Sequence, residues 1–270
     1  MANDSALDRR LPHPFSAAFG MVGYLGRLAI LASTTFWSSV RPSTSFAGET
    51  SRQLDRLLGM GLPSVALVHI GLGSFLSMQA YFGATFVDGI GPVVGVGLIR
   101  NLAPLMVGFI LAGLVAARYV AELRGLDIPQ EELARLVAPR VAAAMIAGPI
   151  LSAWGSIIGI FVGWAVARSI MGLTFPAFFD MFLEMLWTRD VVGLVVKGLV
   201  FGGAAGLLAC HEGVARPSGS DPAPEAICSA ACRAAYLAGL AVLAFNATWF
   251  LLVYHAGPAF GPTVLVPPTG

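Results

Sequence analysis

Two basic residues interrupt stretches that otherwise carry no charge: Arg100 within Pro92–Ala117 and Lys197 within Val191–Cys210. A charge in so apolar a setting is costly and is a functional candidate by default. Near the end of a membrane-crossing helix, Arg100 could grip a lipid phosphate through paired hydrogen bonds, with Lys197 as a second cation. The competing reading is that both side chains snorkel to the headgroup layer. Gln79 and Asn246 also fall inside apolar runs, where an unpaired amide is expensive; each is expected to face protein or a cavity. Phe75, Met78 and Phe82 would suit the walls of an apolar lipid cavity, and would equally suit contact with bulk lipid. His69 reads as a hydrogen-bonded packing residue rather than a proton relay.

Signs of bond-making chemistry are thin. The sequence has no Gly-x-x-x-x-Gly-Lys-Ser/Thr, so ATP hydrolysis, if any, belongs to a separate chain. It has no Gly-x-Ser-x-Gly nucleophile turn either. Cys228 and Cys232 share a helical face and Cys210-His211 lies close in the topology, which are ligand types zinc accepts. Cysteine serves as readily as a small apolar residue at helix contacts, and no metal or cofactor is expected. Three cysteines make no disulfide framework. A net charge of +1, with no basic run interleaved with aromatics, argues against a nucleic-acid partner.

The elements that position these residues follow from composition. Of 270 residues, 57% are apolar and only 11% are charged, where a soluble domain carries about 25% charged residues. Mean hydropathy is +0.79. So few charges cannot clothe a water-exposed surface, so lipid must be the solvent for much of it. Crossing a bilayer takes roughly 20 mostly apolar residues. Pro63–Ala84, Val141–Ala167, Val191–Cys210 and Ala234–Tyr254 meet that length, and Pro92–Ala117 completes a fifth span around Arg100. The expected fold is an all-α integral membrane protein with an N-terminal interfacial helix, five transmembrane helices and a short cytoplasmic helix between spans two and three.

Phe15–Val40 is interrupted by Arg27 and runs into Ser/Thr-rich sequence, so it reads as an amphipathic helix lying in the interface, with a sixth crossing helix as the alternative. The expected organisation is a cytoplasmic tail over 1–14, an interfacial region over 15–60, a five-helix transmembrane domain over 61–255 and an external tail over 256–270. Met1–Arg10 lacks the apolar core of a cleaved signal peptide. Orientation follows the Lys/Arg count. With the N-terminus inside, only Arg100, Arg168, Arg189 and Lys197 of the 16 basic residues lie outside.

Between spans two and three, Arg118–Arg140 holds Arg118, Glu122, Arg124, Glu131, Glu132, Arg135 and Arg140, and the stretch after Pro129 looks like a helix start. A helix of both charge signs suits a partner's groove; it equally suits a solvated turn whose charges hold topology. Arg118 and Glu122, four apart, can pair on one helical face. On the opposite side, the aromatic-rich Gly172–Asp190 suits a helix resting at the outer interface. Glycine, 32 of 270 residues, recurs as Gly71-Leu-Gly73 and Gly198…Gly202-Gly203…Gly206. Such spacing lets helices approach closely, within one subunit or between two.

The second half resembles the permease subunits of MCE-associated ABC transporters. Arg100-Asn-Leu-Ala-Pro104 resembles that family's Arg-Glu-Leu-x-Pro, and Ala112-Gly113 with Ala121-Glu122-Leu123 resembles its Ala-Gly-Arg…Ala-Glu-Leu-Gly. Pro139-Arg140-Val141, Asp190…Lys197-Gly-Leu-Val-Phe201-Gly202 and Cys210-His-Glu-Gly213 follow in the family's order, and Arg52-Gln53 and Gln79 match upstream. Departures are Asn101 for the family's Glu, a shorter loop over Arg124–Arg135, and Ser218–Pro224 in place of a Gly-rich signature. They suggest a divergent member.

The resemblance implies a dimer of permeases, of one kind or two paralogues, in the bacterial inner membrane. It implies a separate ABC ATPase docked on the cytoplasmic loop, an MCE-domain protein on the outer face, and phospholipid or another lipid as cargo. Two rivals remain: an ion- or proton-coupled secondary transporter using His69, Arg100 or Lys197, and a scaffold subunit that anchors partners without transporting.

Overall fold

In the computed structural model the described residues are 13–41, 44–83, 91–124, 126, 130–215 and 223–255. All regular structure there is helical. Helix α1 spans His13–Val40 and α2 spans Phe46–Gly83. Two wide π turns, Pro92–Val96 and Leu98–Leu102, lead into α3, Ala103–Arg124. Helix α4 runs Gln130–Met171, α5 Phe175–Met185, α6 Thr188–Val214 and α7 Pro224–Trp249, the last continuing as a π turn over Phe250–His255. Five of these segments are long and apolar enough to cross a membrane. In lipid the backbone must satisfy its own hydrogen bonds, and the helix does this within a single segment.

The helices are longer than the uninterrupted apolar runs. At 1.5 Å per residue, the 38-residue α2 and the 42-residue α4 are roughly 60 Å long, about twice the hydrocarbon thickness. They run parallel: Gly61 meets Leu151 midway, and Gly73 meets Gly159 further along both helices. Their N-terminal turns therefore project together from the same end of the bundle. The boundary expected at residue 61 falls inside α2, whose helix continues through Pro63.

The short helix expected between spans two and three is, in its described part, continuous with the third span. The described part of that connection is the start of α4, which passes through Pro139 without a break into the third span. A proline removes one backbone hydrogen bond, and the surrounding turns carry the helix past it. Just beyond it, Arg140 donates from Nη1 to the Leu136 carbonyl one turn back at 2.8 Å.

Helix α4 lies between α2 and α6. Helix α6 packs in turn on α3 and α7, and α1 rides on α4 and α6. Lipid offers no hydrophobic drive between helices, so close backbone packing must hold them. At Gly148 of α4 an added Cβ would lie 1.9 Å from the Gly198 carbonyl oxygen of α6, at Gly198 one would lie 2.5 Å from the Pro149 nitrogen, and at Gly73 one would lie 2.2 Å from the Gly159 carbonyl oxygen. These glycines are thus spent on packing within the chain.

One apolar cluster, including Leu57, Leu111, Tyr119, Leu123 and Leu151, occupies the end where α2 and α4 begin. A second, with Val94, Leu98, Ile160, Phe178 and Phe182, joins α5 to the π turns at the other end. Helices α2 and α7 are the least buried spans and leave Leu67, Phe82, Tyr236 and Leu251 exposed.

Gly198→Val should wedge α6 from α4 and cost about 1–3 kcal/mol or more. Gly113→Ala, in open space, should leave stability equal or slightly raised. Thermal unfolding of the purified chain in detergent reads both.

Candidate functional site

Charged side chains gather at the two ends of the bundle. At the end where α4 begins, Glu122 of α3 is held from two sides. Arg118 Nε donates to Glu122 Oε1 at 2.8 Å, closing the i,i+4 pair. Arg140 of α4 donates to Oε2 from Nη2 at 3.0 Å and from Nε at 3.3 Å. Tyr119, fully buried one helical turn behind, donates its hydroxyl to the Arg140 carbonyl at 3.2 Å. Arg140 is itself only 6% exposed, so the bridge between α3 and α4 is shielded more than a surface pair is and correspondingly stronger. Arg124 crosses the other way, donating to the carbonyls of Ala215 after α6 and Ala226 in α7.

Of the residues proposed from sequence at this end, Arg118, Glu122 and Arg140 therefore form the fastening of the α3–α4 connection, and Arg124 ties α3 to the end of α6 and the start of α7. Glu132 and Arg135 stand exposed on the first turns of α4. The side chain of Glu131 lies outside the described residues.

At the opposite end the organising group is Asp190, in the first turn of α6 and without solvent exposure. Arg100 clasps it with two bonds, Nε to Oδ1 at 2.9 Å and Nη2 to Oδ2 at 3.0 Å. The Tyr254 hydroxyl donates to Oδ1 at 2.6 Å, and the Trp187 backbone N–H to Oδ2 at 3.1 Å. An acid at a helix N-terminus also meets the positive end of the helix dipole.

Lys197, two turns along α6, is fully buried and donates to the Arg100 carbonyl at 2.9 Å. Its ammonium turns inward, and the Phe250 ring lies 4.5 Å away. Arg189 stacks over Trp187 at 3.7 Å and Tyr254 at 4.6 Å. Arg100 and Tyr254 both come from π turns. Such a turn carries an additional residue and so re-aims the side chains around it.

This end thus gathers three cations, Arg100, Lys197 and Arg189, around one carboxylate. The arrangement can hold an anion by charge and hydrogen bonds. It has no nucleophile paired with a base. Phe75, Met78, Gln79 and Phe82 lie apart from it, on the exposed face of α2, and Asn246 is half-buried on α7. His69 is fully buried, its Nδ1 lies 2.8 Å from the Val65 carbonyl, and its ring packs on Gly155. Cys210 is buried and Cys228 and Cys232 are exposed. Among the described residues no three His, Cys, Asp or Glu side chains converge as a metal site.

Sequence reasoning did not single out Asp190, Trp187 and Tyr254 as members of one cluster with Arg100 and Lys197. A signal for Asp190 existed, because it precedes Lys197 by seven residues and so shares its helix face. Nothing in the spacing marks Tyr254, which is brought in by the π turn.

The profile of the family described as Permease MlaE matches residues 50–252. A probable ABC transporter permease protein of Rickettsia typhi is 27% identical over 226 residues, covering 79% of this chain and 87% of its own. Another, from Rickettsia prowazekii, is 29% identical over 189 residues, covering 65% of this chain and 73% of its own. The intermembrane phospholipid transport system permease protein MlaE of Haemophilus influenzae is 25% identical over 218 residues, covering 73% of this chain and 81% of its own.

Asp190→Ala leaves Arg100 and Lys197 without their counter-charge and is expected to cost about 3–5 kcal/mol of stability. Asp180→Ala, on the exposed side of α5, should stay within about 0.5 kcal/mol. Unfolding in detergent compares them directly.

Proposed function

Because this chain belongs to the MlaE permease family, we propose that it is the membrane subunit of an ATP-driven lipid transporter. Phospholipid is the favoured cargo, supported by the name of the Haemophilus relative, a phospholipid transport permease. An ABC ATPase in a separate chain supplies the energy, as the relatives' description as ABC transporter permeases implies and the missing P-loop requires. A second permease copy or a paralogue completes the lipid path, and an MCE-domain protein continues it on the outer face. The chain resides in the bacterial inner membrane, with its N-terminus and the Glu122 end inside and its C-terminus outside. Helix α1 lies in the inner interface, and the apolar faces of α2 and α7 suit a cavity between two copies, with Phe75, Met78, Gln79 and Phe82 on its wall.

The observation that carries this reading is the Arg118–Glu122–Arg140 bridge. It fastens the first turns of α4, where Glu132 and Arg135 are exposed, to the end of α3. A push delivered at those turns moves the second and third spans as one body. Displacement of α4 is thereby shared with α3, which suits opening and closing a cavity.

Reconstitution of the chain with its ATPase in phospholipid vesicles tests this. ATP should drive transfer of a fluorescent phospholipid, and Glu132→Ala/Arg135→Ala should lower both ATPase binding and transfer. Glu122→Ala should bind the ATPase but transfer lipid about fivefold or more slowly. Transfer driven by an ion gradient, with no ATPase present, would place the chain among secondary transporters instead.

A further inference from the structure

Glu212 is 1% exposed, and neither cluster described above uses it. It lies in the last turn of α6, where the carbonyl end of the helix dipole disfavours negative charge. Arg233 of α7 answers it. Its Nε donates to Glu212 Oε2 at 2.7 Å, and Nη2 lies 2.5 Å from the same oxygen. The neighbouring His211 meets the ring of Tyr24 from α1 edge-on, with centroids 4.5 Å apart. Burial first, then the Glu212 carboxylate, push the Tyr24 phenol up to about 12, so the ring meets His211 uncharged. On the next residue, Gly213, an added Cβ would come 2.9 Å from Leu123 Cβ and 3.2 Å from the Tyr119 carbonyl oxygen of α3.

Three helices therefore converge on residues 211–213: α1 through Tyr24, α7 through Arg233 and α3 through Leu123. Tyr119 and Leu123 bracket Glu122, so this junction lies beside the α3–α4 bridge. Helix α1 also packs along α4. Among its described side chains Leu31 and Thr35 are buried, while Val22, Leu25, Ile30, Phe36 and Trp37 are exposed.

We infer that α1 is a driven part of the transport cycle, and that His211 and Glu212 are the positioning residues that drive it. The inference rests on the permease reading above. Displacement of the α3–α4 end carries residues 211–213 with it, because Gly213 leaves no slack against α3. The Glu212–Arg233 pair keeps the last turn of α6 from fraying, so that turn moves as a block. Its His211 edge then pushes the Tyr24 ring, and α1 tilts or slides in the interface beside the lipid path.

The test uses the chain assembled with its ATPase in phospholipid vesicles, and reads ATP hydrolysis and fluorescent phospholipid transfer together. Tyr24→Ala and Arg233→Ala should keep hydrolysis within about twofold while transfer slows about fivefold or more. Tyr24→Phe and Arg233→Lys should stay close to the parent in both. Unchanged transfer in Tyr24→Ala overturns the inference, as does an equal fall of hydrolysis and transfer in that variant. If Arg233→Ala fails to assemble, Tyr24→Ala, which leaves the ion pair intact, decides alone. A parent complex that hydrolyses ATP and moves no lipid overturns the permease reading itself, and α1 coupling with it.

Discussion

Asp190, Lys197 and Glu212 are each at most 1% exposed, and a full charge so placed has to be answered inside the protein. That requirement decides which segments meet. Asp190 brings the π turn before α3 and the π turn after α7 to the start of α6, through Arg100 and Tyr254. Glu212 ties the end of α6 to α7 through Arg233. Helix α6 is thereby pinned at both ends by carboxylates, and the five spans are arranged around it and α4.

Between the two pinned ends the contacts are uncharged and close. Gly198 against Gly148, and Gly73 against Gly159, let backbones approach where any side chain would collide. Charge at the ends and small residues in the middle divide the work. The first sets register, because an ion pair tolerates little sliding. The second supplies dispersion contacts along the length, in a solvent where apolar surface gains little by leaving lipid. A bundle built this way is fastened along its whole length.

Much of this was legible in the sequence. Uncharged runs about 20 residues long announce spans, because the bilayer sets the length and charge is excluded. Arg118 and Glu122 announced their pair by helical spacing alone. The partner Arg140 was named for its place in the connection, and the structure joins it to Glu122 across two helices. Other features stayed hidden for physical reasons. Helix α4 continues through Pro139, although proline reads as a break, because the turns on either side carry the helix past the one lost bond. Arg100 and Lys197 read as candidates to face headgroups, but their partners are Asp190, 90 residues from Arg100, and the Arg100 carbonyl itself. Tyr24 and His211 are separated by most of the chain, and no periodicity links an N-terminal helix to the end of α6.

Orientation is where the whole scheme is most exposed. A chain with Cys228 and Cys232 replaced by serine, carrying either Arg135→Cys or Asp180→Cys, can be treated in intact cells with a membrane-impermeant thiol reagent. Residue 135 should be protected until the membrane is inverted or opened, and residue 180 should react at once. The reverse pattern would put the Glu122 bridge on the outer face, beyond reach of any ATPase, and the mechanism argued from it would fail.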